Sequence, residues 1–341
     1  MAGTLAGIGT KGENMQARRA LLKSITVLLA LPGAGLAQTS EADFPSRPVT
    51  IVVPFASGQS ADILARMLAE ELTRLWGKPV LVENRGGAGG AVGALAVVRA
   101  VADGHTLLLG SSGPISVAPQ VSKNAGYDPR RDLSPIINVA GVPQMMVVTA
   151  SSQYRSVRDV VDAARRTPGK MSYGTGGTGS FAHLTMEILK RRTGIDITHI
   201  PYKGAAPAYV DLLAGRLDVM FDTPPAALGF VRSGQLRFLA ASSIRRAPML
   251  PDVPTVSESG VAGFDVLGWL GVLAPAGLSP ALQRRLNQDL RRVLEAPHIQ
   301  QRLDTLGMAP LAGSADDFRK FIEADYEKLG AVIRAGNISS D

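Results

Sequence analysis

The chain has 341 residues, of which 45% are apolar, 19% charged and 5% aromatic, and its formal net charge at pH 7 is +7. At about 150 residues per domain, this length and composition predict a compact globular protein of two domains and exclude a disordered chain or a coiled coil. The lack of cysteine excludes disulfides and thiolate chemistry. The four histidines are too scattered for an obvious metal centre, and we expect neither a metal nor a cofactor.

The N-terminal residues have the pattern of an export signal. A basic stretch at 18–23 precedes a short apolar run at 25–31 and a small-residue site that ends at Ala37. This pattern predicts a signal peptide over residues 1–37 and a periplasmic location. The apolar run is too short for the ~20 residues that span a bilayer, and no later segment would span one.

Two details of this signal stay open. Residues 18–23 also resemble a twin-arginine export signal, although Ala17 and Leu21 depart from that pattern. Met15 opens a complete signal by itself, so residues 1–14 can lie upstream of the true start.

The charge that remains after cleavage is small. Removing residues 1–37 lowers the net charge from +7 to +4. The basic runs that remain, such as 190–192, lie at helical spacing opposite leucines, which is typical of solvated helix faces. The chain therefore lacks the dense basic stripe of a nucleic-acid-binding protein.

The first part of the mature chain alternates strand and helix patterns, which predicts an α/β fold. Residues 49–54 form a continuous apolar strand. After a loop of small residues, Ser60 is expected to cap a helix that a glycine ends. A strand over 79–83 then leads through the glycine-rich turn 86–90 to a small-residue helix and a third strand over 105–109.

The second part repeats this plan. A short strand at 171–173 precedes the loop 174–179, and Ser180 is expected to cap the helix that follows. Strands are predicted at 195–200 and 217–221, with a helix between them. Two similar α/β lobes are implied.

The C-terminal part is predicted to be helical. Ser279 is a strong helix start, and Ser314 with Asp317 forms a capping-box pattern. The runs 144–149 and 266–273 are apolar and extended, which favours two connections that cross between the lobes.

These connections predict the domain boundaries. Lobe 1 is expected to combine residues 38–143 with 266–341, and lobe 2 to be an insertion over residues 144–265.

Two loops have the chemistry of an anion site. Residues 55–60 and 174–180 are rich in small residues, end in a serine and precede a helix. The first N–H groups of a helix are free to bind a ligand, and the helix dipole favours an anion there. Each loop taken alone is better explained as a simple tight turn whose glycines permit the backbone path. Their recurrence, one in each predicted lobe, favours a shared site.

Other chemistries find weaker support. Residues 174–179 match G-x-G-x-x-G, but the next strand ends at 199–202 without the acidic residue that a nucleotide ribose needs. Ser180 and His183 could serve a hydrolase, but no acid is placed to orient the histidine. His183 and Glu187 lack the second histidine of a metal motif.

Two aspartates flank the strand predicted at 217–221. Asp222 follows its C-terminal end, where we expect it to reach the cleft, whereas Asp218 is expected to be a solvated edge residue.

Seven segments carry a family resemblance when they are taken in order. They are residues 53–62, 83–90, 103–108, 174–180, 201–204, 211–215 and 250–255. Together they resemble the Bug receptors, the extracytoplasmic solute receptors of tripartite tricarboxylate transporters. Gln59 departs from the usual glycine and brings an amide into the first loop. Gly86 stands where proline is common, and His105 replaces a usual tyrosine.

The resemblance implies a type II-like periplasmic binding protein of Venus flytrap form, each lobe a mixed sheet flanked by helices. It implies that a small carboxylate binds in the cleft between the lobes. The implied ligand-binding residues are Phe55, Ala56, Ser57, Gly58, Ser60 and Asp62 on the first wall, with Thr178, Gly179, Ser180, His183, Tyr202, Lys203 and Asp222 on the second. Asp62 is expected to support its loop rather than to touch an anion, and Lys203 could equally be a solvated lysine.

The chain is therefore predicted to be a monomeric, non-enzymatic receptor that delivers a carboxylate to membrane transporter subunits. Two alternatives stay open. One is a solo receptor that signals to a sensor protein, and the other is a secreted hydrolase that uses Ser180 and His183.

Overall fold

The computed structural model describes residues 44–122 and 125–339. The predicted signal peptide, residues 1–37, lies outside the described residues, as does the alternative start at Met15. In the described part of the chain, no helix combines the length and the apolar character that crossing a bilayer requires.

Strands and helices alternate along most of the chain. The strands are β1 (Val49–Val53), β2 (Val80–Asn84), β3 (Thr106–Ser111), β4 (Leu133–Pro143), β5 (Met145–Thr149), β6 (Ser172–Thr175), β7 (Thr198–Pro201), β8 (Val219–Asp222), β9 (Leu236–Ala241), β10 (Leu267–Pro275) and β11 (Ala309–Pro310). The helices are α1 (Ser60–Trp76), α2 (Ala91–Val98), α3 (Ala118–Val121), α4 (Pro129–Asp132), α5 (Val157–Arg166), α6 (Phe181–Thr193), α7 (Ala205–Leu213), α8 (Pro224–Arg232), α9 (Pro280–Leu294), α10 (Pro297–Thr305) and α11 (Ala315–Gly336). A 3₁₀ turn covers Ala88–Gly90, and a π-helical turn covers Gly113–Val117.

The strands form two mixed sheets. The first has the order β11-β4-β10-β3-β1-β2, and the second has the order β7-β6-β8-β5-β9. Each sheet contains both parallel and antiparallel strand pairs. The parallel pairs come from strand-helix-strand units. The predicted α/β architecture, with two mixed sheets flanked by helices, is confirmed.

Some element bounds differ from the prediction. The strand expected at 195–200 begins only at Thr198. Ile195 and Ile197 are buried in the core of the second sheet before the strand begins, so their apolar character reflects core packing rather than strand pairing.

The chain passes from one sheet to the other through two neighbouring segments. Gln144 alone separates β4 from β5, and the return follows β9 and enters β10. Ser242, which is fully buried, joins the two segments. Its Oγ accepts the Gln144 N–H at 2.9 Å and donates to the Val266 carbonyl oxygen at 2.5 Å. The lobe boundaries at 143/144 and 265/266 stay a prediction.

Close packing of α2 on the first sheet predicts a mutational effect of unusual sign. A Cβ on Gly93 would lie 2.7 Å from the Arg85 carbonyl oxygen and 2.8 Å from the Pro54 Cα. Replacing glycine with alanine in a helix normally stabilises by about 1 kcal/mol. Backbone atoms cannot move aside without distorting the fold, so Gly93→Ala is expected to lower the free energy of unfolding by about 1–3 kcal/mol.

The matched control is Gly229→Ala in α8, where no atom lies within 4 Å of the added Cβ. Urea unfolding should show this variant to be as stable as the wild type or more so. Equal effects of the two substitutions would contradict the packing argument.

Candidate functional site

A cavity lies where loops of the two sheets face each other. Its volume is about 120 Å³, several times the ~10–15 Å³ that one water molecule needs. It is lined by Phe55, Gln59, Ser60, Ala61, Ser111, Ser112, Val142, Gly268, Trp269 and Leu270 from the first sheet, by Gln144 at the crossing, and by Gly176, Ser180, Phe181, Ala182, Ala205, Met220, Phe221, Asp222 and Thr223 from the second.

Of the residues predicted from sequence, Phe55, Ser60, Ser180 and Asp222 line this cavity. The other predicted residues do not line it.

The N-terminus of α1 forms part of the wall. The expectation that Ser60 caps this helix is wrong, because Gln59 occupies the N-cap position and Ser60 is the first helical residue. The Ser60 hydroxyl is buried and has no hydrogen-bond partner among the described residues. It is therefore free to bind a ligand at the positive end of the helix dipole.

Asp62 supports the loop before α1. Its Oδ2 accepts the Gly58 N–H at 2.9 Å, and its carboxylate pairs with the exposed Arg66 at 2.9 Å. Burial raises the pKa of Asp62, but the hydrogen bonds from Arg66 and Gly58 outweigh burial and hold the pKa below its usual value. Ala56, Ser57 and Gly58 are exposed in this loop.

The second loop ends as predicted, with Ser180 capping α6. The Ser180 Oγ accepts the His183 N–H at 3.3 Å. Thr178 and Gly179 instead face the glycine-rich turn of the first sheet. A Cβ on Gly89 would lie 3.2 Å from the Gly179 carbonyl oxygen and 3.3 Å from that of Thr178. Both glycines have φ in the left-handed region, 64° and 77°, so the two loops approach through backbone alone.

His183 lies buried beneath the second loop. Its Nδ1 accepts the Gly179 N–H at 3.2 Å, and its ring stacks on His199 with 4.0 Å between the ring centroids. Burial lowers the pKa of His183, so the ring is neutral and positions the loop. In the described structure no hydrogen bond joins this ring to the Ser180 hydroxyl, and the hydrolase alternative has no nucleophile–base pair.

Tyr202 and Lys203 do not line the cavity. The Tyr202 hydroxyl donates to Asp211 Oδ2 at 2.6 Å, which ties the end of β7 to α7. Lys203 is exposed.

Asp222 is placed at the cavity, as expected for the end of β8. Its Oδ1 accepts the Thr223 N–H at 2.7 Å, and its Oδ2 is buried with no hydrogen-bond partner among the described residues. Burial raises the pKa of Asp222 to about 6, against the lowering effects of the Thr223 N–H and the neighbouring Tyr209 hydroxyl. The expectation that Asp218 is a solvated edge residue is wrong, because its Oδ2 accepts the Ser172 N–H at 2.8 Å.

Sequence reasoning missed several cavity residues. Ser112, Gln144, Thr223 and Trp269 all line the wall, and the hydroxyls of Ser112 and Thr223 are buried with no partner in the described structure. Ser112 and Thr223 each follow the C-terminal end of a strand that pairs in parallel, where α/β sheets commonly bind ligands. That position is the signal that could have identified them.

The buried His199 predicts loss of stability in acid. Burial lowers the pKa of His199 to about 3, whereas an unfolded histidine titrates near 6.5. Below pH 6.5 the His199 ring therefore binds a proton in the unfolded chain but stays neutral in the folded chain. The free energy of unfolding should fall as the pH drops from 6.5 towards 3, by up to about 1 kcal/mol per pH unit because the ring is only partly buried.

Urea unfolding at pH 7, 6 and 5 checks this prediction. Asp222 acts in the opposite direction over the same window, because its raised pKa makes the folded chain bind a proton first. The readout is therefore the difference between the wild type and His199→Phe, whose pH slope should be flatter. His298→Gln, at a histidine whose side chain is 61% exposed, is the control. Identical slopes for His199→Phe and the wild type would contradict the assignment.

The described residues hold no group of three or more acidic or histidine side chains arranged to bind a metal ion. The chemistry of the cavity is that of neutral donors, apolar walls and one carboxyl group.

Comparison with known proteins places this architecture among solute receptors. Residues 64–338 match the model of the tripartite tricarboxylate transporter family receptor. The chain is similar to Protein BugT of Bordetella pertussis, with 36% identity over 91% of this chain and 98% of that protein.

Two solved structures that are similar contain ligands. One is R. palustris Rpa4515 with adipate, with a TM-score of 0.83 and 35% identity over 87% of this chain and 99% of that one. The other is MatC from Rhodopseudomonas palustris with bound malate, with a TM-score of 0.79 and 29% identity over 85% of this chain and all of that one.

Proposed function

Because the chain belongs to the tripartite tricarboxylate transporter receptor family, we propose that it captures a small organic acid in the cavity between its two sheets. The family is one of periplasmic solute receptors that bind small carboxylates and work with transporter membrane components, and not one of enzymes. Adipate and malate in the two similar structures support a carboxylate as the ligand.

The observation that carries the proposal is a set of buried polar groups without partners. The hydroxyls of Ser60 and Ser112 on one side, and Thr223 Oγ1 with Asp222 Oδ2 on the other, are all buried at this cavity. A buried polar group without a hydrogen bond costs about 1–3 kcal/mol. A ligand in the cavity would complete the hydrogen bonds of these four groups, which come from both sheets.

The donors on the first sheet suit a carboxylate. Ser60 lies at the N-terminus of α1, where backbone N–H groups and the helix dipole favour an anion. Ser112, between β3 and the π-helical turn Gly113–Val117, adds a second hydroxyl to the cavity wall. Each hydrogen bond to a charged group contributes about 1.5–3 kcal/mol, so a few of them, after the cost of association, account for micromolar binding at about 8 kcal/mol.

Binding across the two sheets also supports a closing motion. A ligand that touches both walls has higher affinity for the closed state and shifts the population towards it. The lobes proposed to move are residues 38–143 with 266–341 and residues 144–265. Their support is that β5–β9 form one sheet and the remaining strands form the other.

Export and partners are proposed in finer detail. The basic and apolar pattern of residues 1–37 supports a cleaved signal peptide that delivers the chain to the periplasm. The partners are proposed to be the membrane subunits of a tripartite tricarboxylate-type transporter.

A thermal-shift screen of organic acids on the chain from residue 38 tests the function. An acid at 100 times its dissociation constant should stabilise the protein by about 2.7 kcal/mol. Stabilisation by neutral sugars or cations, with none by any carboxylate, would overturn the proposal.

A further inference from the structure

The charge pattern of the cavity points to a narrower class of ligand. Among the described residues that line it, Asp222 is the only side chain that ionises, and no lysine, arginine or histidine belongs to the wall. A carboxylate ligand therefore depends on neutral donors, and a second negative charge on that ligand would meet no cation.

The donors and the carboxyl group lie on different sheets. Ser60 begins α1, between β1 and β2 of the first sheet, and Ser112 follows β3 of the same sheet, whereas Asp222 ends β8 in the second. The wall also carries the apolar side chains of Phe181 and Trp269. The cavity therefore offers hydrogen-bond donors on one sheet, apolar walls, and an acceptor on the other sheet.

The free atom of Asp222 is an acceptor. Its Oδ1 is held by the Thr223 N–H at 2.7 Å, and Oδ2 is buried with no hydrogen-bond partner in the described structure. The Tyr209 hydroxyl lies beside the carboxyl group but does not reach hydrogen-bond geometry with it. A carboxylate oxygen accepts two hydrogen bonds, so even a contact with Tyr209 leaves room for a ligand donor.

Building on the proposed function, we infer that Asp222 selects organic acids that carry a hydroxyl or ammonium group on the end opposite the bound carboxylate, and that it disfavours unsubstituted dicarboxylates. The ligand's carboxylate lies at Ser60 and Ser112, its carbon chain contacts the apolar wall, and its donor binds Asp222 Oδ2. A second carboxylate at that position would place two like charges together beside the buried Asp222 Oδ2, which is unfavourable.

Acids of matched length test this inference at pH 7.5. The probes are hexanoate, 6-hydroxyhexanoate, 6-aminohexanoate and adipate, together with the corresponding four-carbon set, and titration calorimetry gives each dissociation constant. In the wild type, the hydroxy or amino acid of at least one length should bind 10-fold or more tightly than both the plain acid and the diacid. The better of the two substituents distinguishes a hydroxyl from an ammonium donor.

Asp222→Asn is the matched variant, because it keeps the shape and the oxygen that accepts the Thr223 N–H while removing the charge. The variant should bind the amino acid about 10-fold less tightly than the wild type does. Its affinity for the diacid, relative to the plain acid, should rise. If the variant does not fold, the ranking of the wild type alone still decides.

The outcomes separate the two proposals. The inference is overturned if the diacid binds most tightly, or if Asp222→Asn leaves the ranking of affinities unchanged. In either case the acids still bind, and the proposed receptor function stands. If none of the acids binds, and the broader carboxylate screen is also empty, the proposed function fails and the inference fails with it.

Discussion

Replacing both Ser60 and Ser112 with alanine is expected to weaken ligand binding by about 100-fold or more, while the free energy of unfolding stays the same or rises. Each hydrogen bond to a charged ligand contributes about 1.5–3 kcal/mol, and 1.4 kcal/mol is a factor of ten in affinity. Without ligand, both hydroxyls are buried and lack a partner in the described structure, so their removal relieves a cost. Titration calorimetry and urea unfolding measure the two effects.

The opposite signs separate a binding role from a structural one. The matched control is Ser116→Ala in the neighbouring π-helical turn, where the buried hydroxyl donates to Asp325 Oδ2 at 2.5 Å and does not line the cavity. This variant should lose about 1–3 kcal/mol of stability and keep its ligand affinity. A double variant that is destabilised but binds normally would show that the two serines serve the fold alone.

Trp269→Ala is expected to have the largest effect on stability, because this side chain belongs to both the core and the cavity wall. Trp269 is 2% exposed, packs edge-on against Phe318 at 5.2 Å between ring centroids, and donates from Nε1 to Asp325 Oδ2 at 2.8 Å. Truncating a buried tryptophan costs about 3–5 kcal/mol. Burial already raises the pKa of Asp325, and losing this donor leaves that carboxyl group with one fewer partner.

Two further variants divide this effect into its parts. Trp269→Phe keeps an aromatic ring but removes the N–H, and should cost about 1–3 kcal/mol. Trp76→Ala, at the half-buried end of α1 and outside the cavity wall, should cost less than Trp269→Ala and leave ligand affinity unchanged. Urea unfolding and calorimetry provide the readouts. Equal losses of affinity for Trp269→Ala and Trp76→Ala would contradict a role for Trp269 in the wall.

Local patterns predicted the succession of strands and helices well. The alternation of strands with helices is confirmed by the order of the elements. The capping signals at Ser180 and at Ser314 with Asp317 are confirmed by the capping hydrogen bonds. Each of these signals depends on residues within one helical turn of each other. The failure at Ser60 is local too: the Ile63 N–H donates to the Gln59 carbonyl oxygen at 3.0 Å, so Gln59 is the N-cap and the helix begins one residue earlier than expected.

The content of the cavity could not be derived in the same way. Asp218 and Asp222 flank one strand, but Asp218 binds the Ser172 N–H because β6 and β8 are neighbours in the sheet, 46 residues apart along the chain. Ser112 and Trp269 are 157 residues apart along the chain and line one wall because β3 pairs with β10. No local pattern reports such pairings.

The amino-acid sequence by itself determined the α/β succession, the helix caps, the small-residue loops and the resemblance to a receptor family, because these depend on periodicity and on chemistry between near neighbours. Tertiary structure alone decided which polar groups are left without partners. Strand pairing satisfies Asp218 with the N–H of Ser172, 46 residues away, and the folded arrangement leaves Ser60, Ser112, Thr223 and Asp222 facing a common cavity. Whether a buried polar atom finds a partner depends on residues distant in the chain, and therefore on the folded arrangement.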